Sequence, residues 1–173
     1  MQNKIAIIGA GNLGISLAKG LVESGVYKPN QFNLSRRRIK KLQHLESLGY
    51  NVFNNNTDAI NGSDVIVIAV LPQKINEVLE ELKTTIKPNK LIISLVSGVE
   101  IDEISTQIIN EVPIVRAMPN TPASVNKGIT AIIGNNFSSE SDLILSESLM
   151  NSVGQTLRLE NESQMDAVTA ISG

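Results

Sequence analysis

The chain has 173 residues, 42% of them hydrophobic and 18% charged, with a formal net charge of -2, which describes one globular core and excludes a tail, a fibre or a membrane protein. So even a balance leaves no broad footprint for nucleic acid, because the one basic run, Arg36 to Arg38 with Lys40 and Lys41, is too local to coat a duplex. With no cysteine and one histidine, disulfides, thiolate zinc sites and cysteine nucleophiles are excluded, and neither a metal site nor a histidine triad is expected.

In chain order, short apolar runs alternate with segments of helical period. A first strand is predicted over residues 4–9; it is too short for a signal peptide and runs directly into glycines, so no membrane association and a cytoplasmic location are expected. A helix follows over residues 12–24, with Leu13, Leu17 and Leu21 on one stripe and Gly25 as its stop. The pattern then predicts a strand at 31–35, a helix at 38–48, a short strand at 50–53, and a polar loop from Asn54 to Thr57. Residues 65–70, Val-Ile-Val-Ile-Ala-Val, are too continuously apolar to have a wet face and read as a central strand that Pro72 ends. A helix through Ile75, Val78, Leu79 and Leu82 precedes a strand at 91–95. A helix through Ile101, Ile104 and Ile108, strands at 114–115 and 129–133, a helix at 143–153 and a strand at 155–159 complete the pattern. Helical character returns over 162–172. This alternation predicts an α/β fold: a Rossmann-type, doubly wound, mostly parallel sheet with helices on both faces.

The first strand and helix meet at Gly9-Ala10-Gly11-Asn12-Leu13-Gly14. A GxGxxG turn in this position has a physical reading: the first glycine allows the tight turn, the second admits a pyrophosphate to the backbone, and the third lets helix pack on strand. The helix N-terminus adds free N–H donors and the positive end of its dipole. A nicotinamide dinucleotide is the expected cofactor. At the end of the second strand, where an NAD site would carry an acidic residue, stand Ser35, Arg36 and Arg37. A hydroxyl and two guanidinium groups suit a 2′-phosphate, so NADP is expected, with NADPH preferred over NADH. Arg38, Lys40 and Lys41 are assigned to solvated surface.

The remaining motifs resemble pyrroline-5-carboxylate reductase. The resemblance spans essentially the whole chain. It rests on residues 7–14, Ser35-Arg36-Arg37, Ser63-Asp64-Val65 leading to Ala69-Val70-Leu71-Pro72-Gln73, and Ser94 to Val99. Its most specific pieces are Arg116-Ala117-Met118-Pro119-Asn120-Thr121-Pro122 and Asp166-Ala167-Val168-Thr169-Ala170-Ile171-Ser172-Gly173. The resemblance implies an NADPH-dependent reductase that delivers hydride to a small cyclic imine in the last step of proline biosynthesis. It implies that Gly9 to Gly14 cradle the cofactor, that Ser35 to Arg37 hold the adenosine phosphate, and that Asn56 approaches the adenine side. Ala69, Val70, Leu71 and Pro72 would line the crevice, and Ser97, Gly98 and Asn120 would border the nicotinamide; an Asx turn is an equally open role for Asn120. Thr121, Thr169 and Ser172 are candidates for the substrate side. The chain departs from the family at Leu71, where the family commonly carries lysine.

By the same resemblance, residues 1–161 form the NADP-binding domain, and 162–173 begin a helical dimerisation domain lying beyond this chain. The full-length protein is then expected to be a homo-oligomer, with this stretch alone a monomer that holds cofactor and turns over poorly. No catalytic residue is assigned: His44 falls on a predicted exposed helix, and a protonated imine is already an electrophile that needs no acid. Two alternatives stay open, another NADP-dependent imine or β-hydroxyacid oxidoreductase, and a non-catalytic NADP-binding regulatory relative.

Overall fold

The computed structural model describes residues 3–109, 111–120 and 128–165. Six parallel strands, β1 (Ile5–Ile8), β2 (Phe32–Ser35), β3 (Asn51–Phe53), β4 (Val65–Ile68), β5 (Leu91–Ser94) and β6 (Ile114–Pro119), form most of one sheet. Next to β6 lies β7 (Gly128–Gly134), antiparallel to it, and β8 (Gly154–Arg158) runs parallel to β7. The order across the sheet is β3-β2-β1-β4-β5-β6-β7-β8. Its first six strands have the doubly wound order of dinucleotide-binding folds, in which the crevice opens between β1 and β4.

Both faces are covered, as the unbroken burial of β1 and β4 requires. Alternation along β1 sends Ile5 and Ile7 into one core with Leu17, Ala18 and Leu21 of α1 (Asn12–Glu23). Ala6 and Ile8 enter the other, with Val78 and Leu79 of α4 (Ile75–Leu82) and Ile104 of α5 (Ile101–Ser105). The four buried positions of α4, Ile75, Val78, Leu79 and Leu82, leave Glu77 and Glu81 on its exposed side.

Several elements differ from their predicted extent. The expected helix over 38–48 is a 3-10 turn, Ile39–Lys41, followed by the short α2 (Gln43–Glu46), which anchors through Leu42 and Leu45; no side chain caps either start. The expected loop at 54–57 opens a helix, α3 (Asn56–Ile60), because the Asn55 side chain accepts the Asp58 N–H at 3.1 Å. The strand expected at 114–115 continues to Pro119 and carries Arg116 into the interior. There Nη1 donates to Glu162 Oε1 at 2.7 Å, and the same oxygen accepts the Ile101 N–H at 3.0 Å. The helix expected at 143–153 begins earlier, as α6 (Glu140–Met150), where Ser139 and Asp142 form a capping box. Among the described residues no helix is long and apolar enough to cross a membrane.

Candidate cofactor site

The turn between β1 and α1 closes on itself and on the neighbouring strand. Gly9 and Ala10 both donate N–H bonds to the Ser35 carbonyl, at 3.1 and 2.9 Å, and Gly11 donates to the Gly9 carbonyl at 2.6 Å. Gly9 has φ +83°, and a Cβ there would lie 2.6 Å from Val70 Cγ1 and 2.8 Å from the Ala69 carbonyl oxygen, so both conformation and space demand glycine. At Gly14 a Cβ would meet Ile7 Cγ2 at 2.8 Å; helix and strand touch there. At Gly11 the nearest atom is the Gly9 carbonyl oxygen at 3.7 Å, so nothing in the described chain forbids a side chain. The space over Gly11 is left for something else.

Since the first three amides of the turn are engaged internally, the donors offered to an anion are those of Asn12 and Leu13, at the start of α1, for which the described residues supply no acceptor. They open on a cleft of about 720 Å³ lined by Gly9, Gly11, Asn12, Leu13, Ser35, Arg36, Arg37, Arg38, Asn56, Ala69, Val70, Leu71, Lys74, Val78 and Leu95. Ala10 and Gly14 are buried beneath it. The cleft therefore gathers most of the residues expected to hold a cofactor, at the carboxyl ends of β1, β2 and β4.

The far end of the cleft is polar. Arg36 donates through its backbone N–H to the Phe53 carbonyl at 3.1 Å and through Nη1 to the Ala10 carbonyl at 3.2 Å, which ties it to the turn. Ser35 Oγ donates to Asn56 Oδ1 at 2.6 Å. Asn56 in turn donates through its backbone N–H and its Nδ2 to the Glu81 carboxylate, at 3.3 and 2.8 Å. A buried network beneath holds α3 on the sheet, since Asn33 Nδ2 donates to the Ala59 carbonyl at 2.8 Å and to Ser63 Oγ at 3.1 Å. Arg37 pairs with Glu77 of α4, and Lys74 Nζ donates to the other oxygen of that carboxylate at 3.1 Å. The hydrogen bond from Lys74 and the guanidinium charge of Arg37 hold the Glu77 carboxyl below its ordinary value, against a smaller opposing effect of desolvation.

Lys74 and Val78 belong to no motif, Leu95 falls within the Ser94 to Val99 piece, and Arg38, assigned to the surface, is exposed but also lines the cleft. Lys74 stands one 3-10 turn beyond the exposed Leu71 and brings an ammonium group to the same wall of the cleft. Pro72, Ser97, Gly98 and Asn120 are not among the residues lining the cleft. Asn120 exchanges bonds with Ile129 of β7: its backbone N–H donates to the Ile129 carbonyl at 3.1 Å and its Oδ1 accepts the Ile129 N–H at 2.9 Å. Thr121, Thr169 and Ser172 lie outside the described residues. His44 is exposed on α2.

An amide cradle at the switch point of a doubly wound sheet, with arginines at one end of the cleft, is the arrangement of a dinucleotide-binding domain. Residues 4–98 match the family described as NADP oxidoreductase, coenzyme F420-dependent. The chain is 34% identical over 181 residues to pyrroline-5-carboxylate reductase 2 of Dictyostelium discoideum, over 96% of this chain and 60% of that protein. It is 33% identical over 176 residues to the pyrroline-5-carboxylate reductase of Arabidopsis thaliana, over 98% and 61%. The solved pyrroline-5-carboxylate reductase of Coxiella burnetii superposes with a TM-score of 0.95 at 35% identity, over 100% of this chain and 64% of that one. That of Plasmodium falciparum, solved with NADP bound, gives a TM-score of 0.87 at 28% identity, over 99% and 63%. The chain belongs to these NADP oxidoreductases, and within them it corresponds to the N-terminal NADP-binding domain of the pyrroline-5-carboxylate reductases. It spans about 60% of the length of the curated relatives it matches.

Proposed function

We propose that this chain is the NADPH-holding part of an enzyme that reduces 1-pyrroline-5-carboxylate to proline. The observation that carries the reading is the cleft itself: free amides at the start of α1, open space over Gly11, and Ser35, Arg36 and Arg37 at the adenosine end. These residues fit a phosphorylated dinucleotide in charge and in donor type. Asn12 and Leu13 would receive the pyrophosphate, Ser35 and Arg37 the 2′-phosphate, and Ala69, Val70 and Leu71 would wall the crevice beyond it. Lys74 supplies a cation from the side where Leu71 has none.

When bound, the reduced nicotinamide supplies the hydride. The protonated imine accepts it at carbon, and the electron pair of the C=N bond discharges the positive nitrogen, so the chain has only to orient the partners and exclude water. Pro72, Ser97, Gly98 and Asn120 belong to the nicotinamide side in this reading, and Thr121, Thr169 and Ser172 to the substrate side. Residues 1–161 act as the cofactor domain, and 162–173 lead into a dimerising helical region that completes the substrate pocket in the full-length homo-oligomer.

Fluorescence titration of the chain with NADPH and NADH tests the reading. NADPH is expected to bind more tightly. Arg37→Ala is expected to cost NADPH about tenfold in affinity, the loss of a charge-assisted bond, and to spare NADH; Arg36→Ala, which also unties the turn from Ala10, is expected to weaken both. Equal NADPH affinity in wild type and Arg37→Ala would refute the phosphate assignment. The same preparation is expected to turn over pyrroline-5-carboxylate poorly, and a rate matching a full-length relative would overturn the division of the site between two regions.

A further inference from the structure

The groups that would greet a 2′-phosphate already hold an anion. Arg37 follows β2 and Lys74 precedes α4, so the two cations lie on opposite walls of the cleft, and the Glu77 carboxylate takes one with each of its oxygens. One helical turn further on, Glu81 holds Asn56, the residue that also receives the Ser35 hydroxyl. Positions 77 and 81 are four apart on one face of α4. Two carboxylates of α4 thus engage Arg37 and Asn56 on the opposite wall.

We propose that Glu77 is a specificity-determining residue of the adenosine end: its carboxylate stands in for the 2′-phosphate on Arg37, and NADP(H) must exchange one anion for the other. This rests on the NADPH reading above. The physical argument turns on what each ligand brings. A phosphate monoester carries close to two negative charges and three acceptor oxygens, against one charge and two oxygens on Glu77, so it can win the guanidinium. The displaced carboxylate keeps Lys74 as a partner and is not left unpaired. A ribose hydroxyl, as in NAD(H), brings no charge and has no means to displace an ion pair; it binds with the Arg37–Glu77 pair in place. The competition therefore lowers affinity for the phosphorylated cofactor alone and narrows the margin by which the site prefers it.

The test is a set of titrations with NADPH, NADH, 2′-AMP and 5′-AMP on the 173-residue chain, as wild type, Glu77→Gln, Arg37→Ala and the double variant, with melting temperature recorded for each. Glu77→Gln is expected to tighten NADPH and 2′-AMP by about three- to fivefold, the scale of an exposed ion pair, while NADH and 5′-AMP change by less than about twofold. In the Arg37→Ala background the same substitution is expected to do nothing to NADPH. A merely structural Glu77 would move the melting temperature and all four ligands together. An NADPH-selective wild type whose selectivity is the same in Glu77→Gln would overturn this inference and leave the cofactor reading standing. A wild type that binds neither dinucleotide, or 2′-AMP no better than 5′-AMP, would bring down both.

Discussion

The two walls of the cleft are made in opposite ways. The β1–α1 wall is backbone: Gly9 and Gly14 are fixed by close approaches to Val70, Ala69 and Ile7, and the Gly9 and Ala10 amides by the Ser35 carbonyl. The α4 side brings Lys74 and Val78 to the cleft, and its exposed Glu77 and Glu81 reach the other wall through an ion pair and hydrogen bonds. Backbone can be aimed only by folding, so it suits a pyrophosphate that every dinucleotide carries. Side chains can change partner without disturbing the sheet, so they suit the phosphate that only some carry. In the proposed reading, recognition of the class and choice within it are separated by about the width of one cleft.

The largest effect is expected where the backbone wall is broken. Gly9→Ala puts a Cβ into a left-handed conformation and against the Ala69 carbonyl, and affinity for NADPH and NADH alike should fall by roughly two orders of magnitude, with a lowered melting temperature. Titration and thermal melting of one sample check this, and retained binding of either dinucleotide would break the contrast. Gly11→Ala sharpens it. Because nothing in the described chain lies within 3.7 Å of that Cβ, the melting temperature should hold while both dinucleotides weaken by about tenfold; a destabilised protein with unaltered binding would make Gly11 a folding residue only.

The smallest effect belongs to the side-chain wall and depends on pH. The Glu77 carboxyl is held below its ordinary value in the folded chain, so the unfolded chain takes up its proton first as pH falls. The pair's contribution is fully present above the unfolded value, roughly pH 4 for a free glutamate, and is lost as pH drops through the folded one. Because the pair is exposed, melting wild type and Glu77→Gln from about pH 8 to about pH 3 should give a difference of only about one degree at neutral pH, which closes in acid as the carboxyl is protonated. A difference that grows in acid would reverse the sign and remove Glu77 from the cation pair.

Much of the cofactor site is legible in the order of residues alone. The glycine turn has one physical solution, and Ser35 to Arg37 face it because a parallel β1–β2 pairing sets Ile8 beside Ser35. Lys74 and Val78 are not legible, since no spacing along the chain relates them to Gly9; the strand order brings them across. The helix α3 is too short for periodicity to register, although Asn55 three residues before Asp58 is a capping signal that exposes it. The antiparallel pairing of β7 with β6 is equally hidden, because alternation of apolar residues says nothing of strand direction. Arg116 conceals the length of β6: a charge in a strand reads as an end unless its partner, here Glu162, is known to come back from 46 positions away.

The double acceptance by the Ser35 carbonyl has a consequence for the kinetics and heat of binding. By joining the Gly9–Ala10 turn to the end of β2, it makes the proposed pyrophosphate cradle and the start of the Ser35 to Arg37 segment one piece that is ordered as the protein folds. Ligand arriving at such a surface surrenders its own freedom without also having to organise a loop. Association then has no slow conformational phase to wait for, and the heat-capacity change on binding measures the surface covered in the cleft, uninflated by folding of the chain around it.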